Sequence, residues 1–377
     1  MKPYIYSILF FLSIQISVAQ TKEVILKKSY KVDENTIFEL DLDNVAIVFE
    51  ESFDDKIHFN YYMEFINYSD RKIKDLLGEV NVKVDRNNNN LKLGVKNSML
   101  IGVNRKTLFS MDSLKSAIKE SMIFYRNRKF LYKSKDSLLK QIRTSVGNDL
   151  QDYLFKNKKK YENEEFIKNQ KKIKKTFIIK LPNYIRMNFK VLHSDITFNY
   201  DIKERVIFNS FRTRLKFKKL ISRENKFQLI NGFLYTEEIA GGFYKLKGVH
   251  PFRVGSISNS IIDLETSKME VGEIKKNTSI KDFSSKVLFY NFNEDFKNFS
   301  FEGDYSKIYL YKVKKANYTM DVFGYNTVLK MDNNTTTFGD SKDKKLTKIL
   351  QKKQKEHIKP SGNVAIELKN GIINLID

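Results

Sequence analysis

Four histidines offer acid–base or metal chemistry: His58, His193, His250 and His357. No two of them form a His-x-x-x-His or His-Glu-x-x-His pattern, so zinc ligation of known spacing is absent from the sequence. His193-Ser194-Asp195 carries the letters of a catalytic triad. Consecutive residues of a strand point to opposite faces, so these three cannot converge by themselves. Asp41 and Asp43 share one side of a strand and read as an exposed pair rather than a metal site. "DNNTTTFGDSKD" has the composition of a calcium loop without its ligand order. "GVHPFRVGS" has the wrong spacing to cradle phosphate. The chain has no cysteine, so thiol chemistry and disulfides are excluded. No catalytic, cofactor-binding or metal-ligating residue is assigned, and no cofactor is expected.

The remaining pattern is architectural. "ETSKMEVGEI", "DFSSKVLFYNF" and "DYSKIYLYKV" repeat serine, lysine and two alternating apolar residues. The column headed by Ser285 extends back through Ser267, His250, Asn231, Thr213 and Ser194, and forward to Ser306 and Asn326. These heads lie 17 to 21 residues apart. Two and four residues after each head sits an apolar pair, such as Ile196 and Phe198, Leu215 and Phe217, Phe233 and Tyr235, or Val287 and Phe289. The last pair, Val328 and Lys330, breaks the rule. Shorter alternating strands precede several heads, with Val206 and Phe208, Phe227 and Leu229, or Ile262 and Leu264.

Alternation marks strands with one buried face. A period near 19 residues suits one turn of a β-solenoid, whose layers stack about 4.8 Å apart. Small polar heads fit corners, where Ser, Thr and Asn bond local backbone. Outward positions then form their own columns. Arg214, Lys268, Lys286 and Lys307 follow the heads, with Leu288, Tyr309 and Leu329 beyond them. Some β-solenoids cleave acidic polysaccharides with a cationic base beside a carboxylate cluster. Here only Glu270 stands near the cations, which is half of such a site.

These elements organise the whole chain. Residues 1–19 read as a signal peptide: Lys2, an apolar stretch, then Ser17-Val18-Ala19 before cleavage. Residues 20–103 are a β-rich N-terminal region. It has one short helix at "SDRKIKDLL" and a hairpin around Asn87 to Asn90. Residues 104–175 are a basic insertion, helical then mobile, with Leu114, Ile118, Met122 and Tyr125 at helical spacing. The solenoid proper occupies 176–332. A second basic helical insertion spans 333–361, with its helix at "KKLTKILQKKQKEH". Residues 362–377 form a terminal coil that closes the exposed strand edge. The fold class is mainly β.

The formal charge of +23 invites a nucleic-acid reading. Lysine far outnumbers arginine, and Asn, Ile and Phe are abundant, a bias that an AT-rich genome produces without selection. Export also takes the product away from most nucleic acid. No later span is long and apolar enough to cross a bilayer. The product is expected in the periplasm or at the cell surface. Its expected role is non-catalytic: a rigid solenoid presented for adhesion, binding or assembly. The partner is unknown, with an envelope protein or an anionic glycan the leading classes. The alternatives are a polysaccharide-cleaving enzyme and a basic module that binds anionic polymer or membrane through residues 126–175.

"FIIKLPNYIRMNFKVLHSDITF" and "IFELDLDNVAIVFEE" carry a resemblance. The chain resembles exported Bacteroidetes proteins with adhesin-like β-strand repeats, related to auto-transporter adhesin-like domains. Leu181-Pro182 and His193-Ser194 stand at the places of that family's Leu-Pro and polar corner. Asp195 replaces the glycine usual after the corner. The resemblance covers most of 24–102 and 176–376. It implies a β-solenoid in a Gram-negative envelope and brings no catalytic residue.

Overall fold

The structure is a computed structural model. It describes residues 20–97, 122–125, 128–131, 172–294, 296–311, 318–331, 334–339, 345–350 and 362–376. The expected leader and most of the two insertions lie outside the described residues. The protein is nearly all β, and one hydrogen-bonded sheet has 24 strands. No helix among the described residues is long and apolar enough to cross a membrane.

The residues divide into two units, Met1–Glu23 with Met63–Glu79 and Ser98–Lys175, and the remainder. The first unit holds the helix Asp70–Leu77. Ser69 occupies its N-cap position without a side-chain cap bond, and Ile73 is its buried residue. Met122–Tyr125 pairs antiparallel with Arg128–Leu131. These residues were expected in amphipathic helices. With β-branched and aromatic residues at Ile123, Phe124, Tyr125 and Phe130, the local preference favours strand.

The second unit is built on two ladders of parallel strands. In the first, Ile37–Asp43 pairs with Arg186–Leu192, and that strand pairs with the start of Val206–Leu220. The ladder continues through Lys226–Ile239, Phe243–Ile257, Ser260–Glu265, Thr278–Phe283 and Asn298–Asp304. In the second ladder, Ala46–Glu51 pairs with Asp195–Phe198, which pairs with the later half of Val206–Leu220. It continues through the later halves of the next two strands to Lys268–Ile274, Lys286–Phe289 and Lys307–Tyr311. Val287 pairs with Ile308, and both are fully buried.

Both ladders bury alternate residues into one interior. Rings stack along it: Phe49 on Phe198 at 4.3 Å, Phe198 on Phe217 at 5.1 Å, Phe208 on Phe227 at 5.6 Å, and Phe227 on Tyr244 at 5.0 Å. Taking each such ring out of water stabilises the fold by about 1.5–3 kcal/mol.

Between the ladders the chain turns a left-handed corner. Asn44, His193, Arg212, Asn231, Thr266, Ser284, Tyr305, Asn326 and Asn370 all have φ between 46° and 60°. The residue after each corner points inward and is mostly small and polar. Where it is Ser or Thr, its hydroxyl bonds the backbone and so satisfies polar groups buried at the corner. Ser267 Oγ donates to the Glu265 carbonyl at 2.9 Å and accepts from the Val249 amide at 3.0 Å. Ser285 Oγ accepts from the Ser267 amide at 2.9 Å, and Ser194 Oγ from the Val45 amide at 3.1 Å. Thr327 Oγ1 donates to Leu368 O at 2.8 Å. Asp282 is the exception, an inward carboxylate at 8% exposure. It accepts from the Ser285 amide and the Ser306 hydroxyl, while its Oδ1 has no partner. Burial raises its pKa above the usual carboxylate range against these bonds.

The expected register is corrected in three layers. Asn231 and Asn326 are the left-handed corners themselves, a conformation asparagine tolerates. Gly232 and Thr327 therefore take the inward head positions. A side chain at Gly232 would collide with the Thr213 carbonyl, and its φ of 113° is one only glycine adopts freely. Leu234 is thus fully buried while Phe233 is 39% exposed, the reverse of the expectation. Leu329 points inward at 3% exposure, so the last layer obeys the rule after all. In the third layer Val249, not His250, fills the corner, and a register shift between the paired strands absorbs the extra residue.

The stacking order also departs from the chain order. Gly362–Lys369 lies between Asn298–Asp304 and Tyr318–Tyr325, and Ile372–Ile376 between Lys307–Tyr311 and Thr327–Met331. The last segment is an inner layer, not the closing one. The closing strands are antiparallel: Lys345–Leu350 on Tyr318–Tyr325 and Asn334–Phe338 on Thr327–Met331. Both were expected to belong to the basic helical insertion at 333–361, the first of them to its helix. The backbone edge beside them supplies hydrogen-bond partners that outweigh the local helical pattern. At the other end Val80–Asn87 covers Asn90–Asn97, as the expected hairpin.

Candidate binding face

Each corner fixes which way the next residue faces. The residue after the inward head points out, and parallel pairing repeats it in every layer. Lys268, Lys286 and Lys307 therefore stand in register in three successive layers of the second ladder. Arg214 shares their face but not their run, because Phe233 and the His250–Pro251 irregularity intervene. Neither Lys286 nor Lys307 makes an ion pair among the described residues.

A second outward column holds Tyr235, Arg253, Glu270, Leu288 and Tyr309. Glu270 accepts from Arg253 Nε at 2.7 Å and is also paired with Lys268. Partial burial opposes its ionisation, but the bonds from Lys268 and Arg253 prevail and hold its carboxyl below the usual range. It is a neutralised acid, not the carboxylate cluster that a polysaccharide-cleaving site requires. Leu288 is covered at 8% exposure, and Leu329 leaves this face for the interior. The expected outward apolar trio is therefore reduced to Tyr309.

Rings hold the cations on this face. Arg214 Cζ lies 5.6 Å from the Phe233 centroid, Arg253 Cζ 6.0 Å from Tyr235, and Lys286 Nζ 4.8 Å from Tyr309. Each contact contributes about 0.5–1 kcal/mol at an exposed site. Tyr290 and Tyr311 stack beside them at 5.0 Å.

The outer face of the first ladder is built differently. Its cations are matched to acids one layer away: Lys247 with Glu265 at 2.6 Å, Lys281 with Glu302 at 3.4 Å, and Lys245 with Asp263 at 3.9 Å. A groove of about 420 Å³ runs here, with Phe283, Asp304 and Lys369 among its walls.

The histidines do not gather. His193 sits at a corner with Nδ1 3.2 Å from Asp43, Ser194 points inward, and Asp195 pairs outward with Arg214 at 3.6 Å. His250 is exposed, and His357 lies outside the described residues. One constellation escaped sequence reasoning. Ser29 Oγ is 2.8 Å from His58 Nδ1, and His58 Nε2 is 2.7 Å from Asp54 Oδ1. Strand pairing between Gln20–Lys31 and Lys56–Ile66 creates it, so no local motif announces it. Ser52 Oγ also donates to Asp54 at 2.7 Å. The Ser29, His58 and Asp54 contacts lie at the surface and Ser52 is buried beneath them, bracing the turn before Lys56. Among the described residues no group of three or more His, Asp or Glu is placed to hold a metal.

No family model matches the chain, and no curated protein matches it. Three solved structures are similar to it. One is a candidate lipid binding protein from Parabacteroides distasonis, at 10% identity and a TM-score of 0.36, covering 95% of this chain and 97% of that one. Another is a candidate adhesin from Bacteroides fragilis, at 10% identity and a TM-score of 0.33, covering 96% and 100%. The third is a candidate cell adhesion protein from Clostridium sporogenes, at 11% identity and a TM-score of 0.19, covering 95% and 99%. Likeness this slight leaves the fold resting on the chain's own strand pairings.

Proposed function

We propose that the second unit winds as a β-solenoid and that the protein is exported to act as a non-catalytic surface protein, presenting an outer face for adhesion or assembly. The in-register run of Lys268, Lys286 and Lys307 above Val287 and Ile308 carries this reading. Parallel layers repeat one outward position at a fixed pitch, which is the geometry of an extended contact surface rather than of a convergent reaction centre. The leader at 1–19 and the insertions at 104–175 and 333–361 belong to the same reading.

The test is to tag the protein, fractionate the cells and shave intact cells with protease. Material in the envelope or medium that protease reaches supports the reading. Recovery in the cytoplasm overturns it. Beads coated with purified protein should also adhere to envelope-bearing cells. Measured turnover of an acidic glycan would replace the binding role with an enzymatic one.

A further inference from the structure

The two outer faces differ in what they leave unmatched. On the first ladder, lysines alternate with carboxylates between layers. On the second, three lysines follow one another with Glu270 as the neighbouring acid, and Glu270 is already shared by two cations. Like charges one layer apart repel, and while Lys268 is paired with Glu270, Lys286 and Lys307 have no ion pair among the described residues.

The spacing selects among anionic partners. Layers repeat about every 4.8 Å. Successive phosphates on one strand of duplex DNA advance about 3.4 Å along the axis and wind around it, so they leave a straight column of this pitch. A polymer with one acidic group per sugar unit is sparser and matches a single cation per layer. The face also offers ring surface and phenolic hydroxyls, at Tyr235, Tyr290, Tyr309 and Tyr311. Sugar units present both C–H faces and hydroxyls to such groups. The Tyr309 ring already fixes Lys286, so that side chain loses little freedom on binding.

We infer that the outer face of the second ladder binds an acidic polysaccharide laid along the stack. Lys268, Lys286 and Lys307 meet successive acidic groups, and Tyr309 positions Lys286 while lining the sugar track. This rests on the reading of the chain as a binding protein and names its partner class.

The experiment uses the full mature chain with polygalacturonate, neutral dextran and duplex DNA as probes. The wild type should retain polygalacturonate, release it with added salt, and ignore dextran. Reversing Lys286→Glu with Lys307→Glu should weaken retention at least ~10-fold. Reversing Lys245→Glu with Lys281→Glu changes net charge equally on the other face and should leave retention within about twofold. Tyr309→Ala keeps the net charge and should still lose several-fold. Unfolding midpoints confirm that each variant is folded.

Equal losses in both double variants would reduce the effect to net charge and overturn the inference. DNA held as tightly as polygalacturonate would also overturn it. A wild type that ignores polygalacturonate yet still adheres to cells sinks this inference and leaves the adhesion reading standing.

Discussion

The outer faces of the two ladders share a backbone, a layer pitch and an interior, yet their charge patterns are opposite. On the first, Lys247 finds Glu265 and Lys281 finds Glu302. On the second, Lys286 lies against the ring of Tyr309 and has no ion pair among the described residues, and Lys307 faces Lys286. The interior treats both ladders alike, because every layer must fill the same space and satisfy the same corner amides. Outward positions carry no such duty. A stack of this kind can assign self-pairing to one face and leave charge available on another without disturbing the fold.

Substitutions rank by which side of that division they touch. Phe208→Ala strikes the interior that both faces share. It should cost about 3–5 kcal/mol in denaturant unfolding, since Phe208 stacks on Phe227 and contacts Phe217. A loss below 1 kcal/mol would mean that the interior is not tightly packed. Ser267→Ala acts at the corner between the ladders. It removes the acceptor of the buried Val249 amide and should cost about 1–3 kcal/mol.

Asp282→Asn tests the buried carboxylate beside the Ser285 and Ser306 corners. The native carboxyl has its pKa raised by burial, so the folded state holds the proton more tightly than the unfolded chain. Wild-type stability should therefore rise as pH falls through that raised pKa toward the unfolded value. The Asn variant should lose this slope and be relatively more stable at neutral pH. Unfolding midpoints across pH check both, and a slope unchanged in the variant would clear Asp282 of the effect.

The smallest effect belongs to the surface pairs. Lys247→Ala on the matched face and Lys286→Ala on the other should each cost below about 1 kcal/mol, the one losing an exposed ion pair and the other a ring contact. Equal and large losses would erase the distinction between the faces.

Much of this division was legible in the sequence. The heads Ser194, Thr213, Ser267, Ser285 and Ser306 and their inward pairs stand where alternation placed them. The column of Lys268, Lys286 and Lys307 follows from the same count. The errors have local causes. Asn231 and Asn326 look like small polar heads, but their tolerance of left-handed backbone makes them corners and moves the register by one. His250 misled because a bulge is invisible to periodicity. Lys345–Leu350 carries too few residues to separate a helical stripe from a strand, and only the neighbouring backbone decides. Ser29, His58 and Asp54 meet through strand pairing, which no spacing rule reads. The cation–ring contacts lay beyond the sequence for the same reason: they need to know which layers are neighbours.

The placement of Gly362–Lys369 between Asn298–Asp304 and Tyr318–Tyr325 has a temporal consequence. A chain that emerges from its N-terminus makes Tyr318–Tyr325 before the strand that must sit beneath it exists. Assembly of that end must wait for the final stretch to thread home. Until then two backbone edges stand open to any other polypeptide nearby.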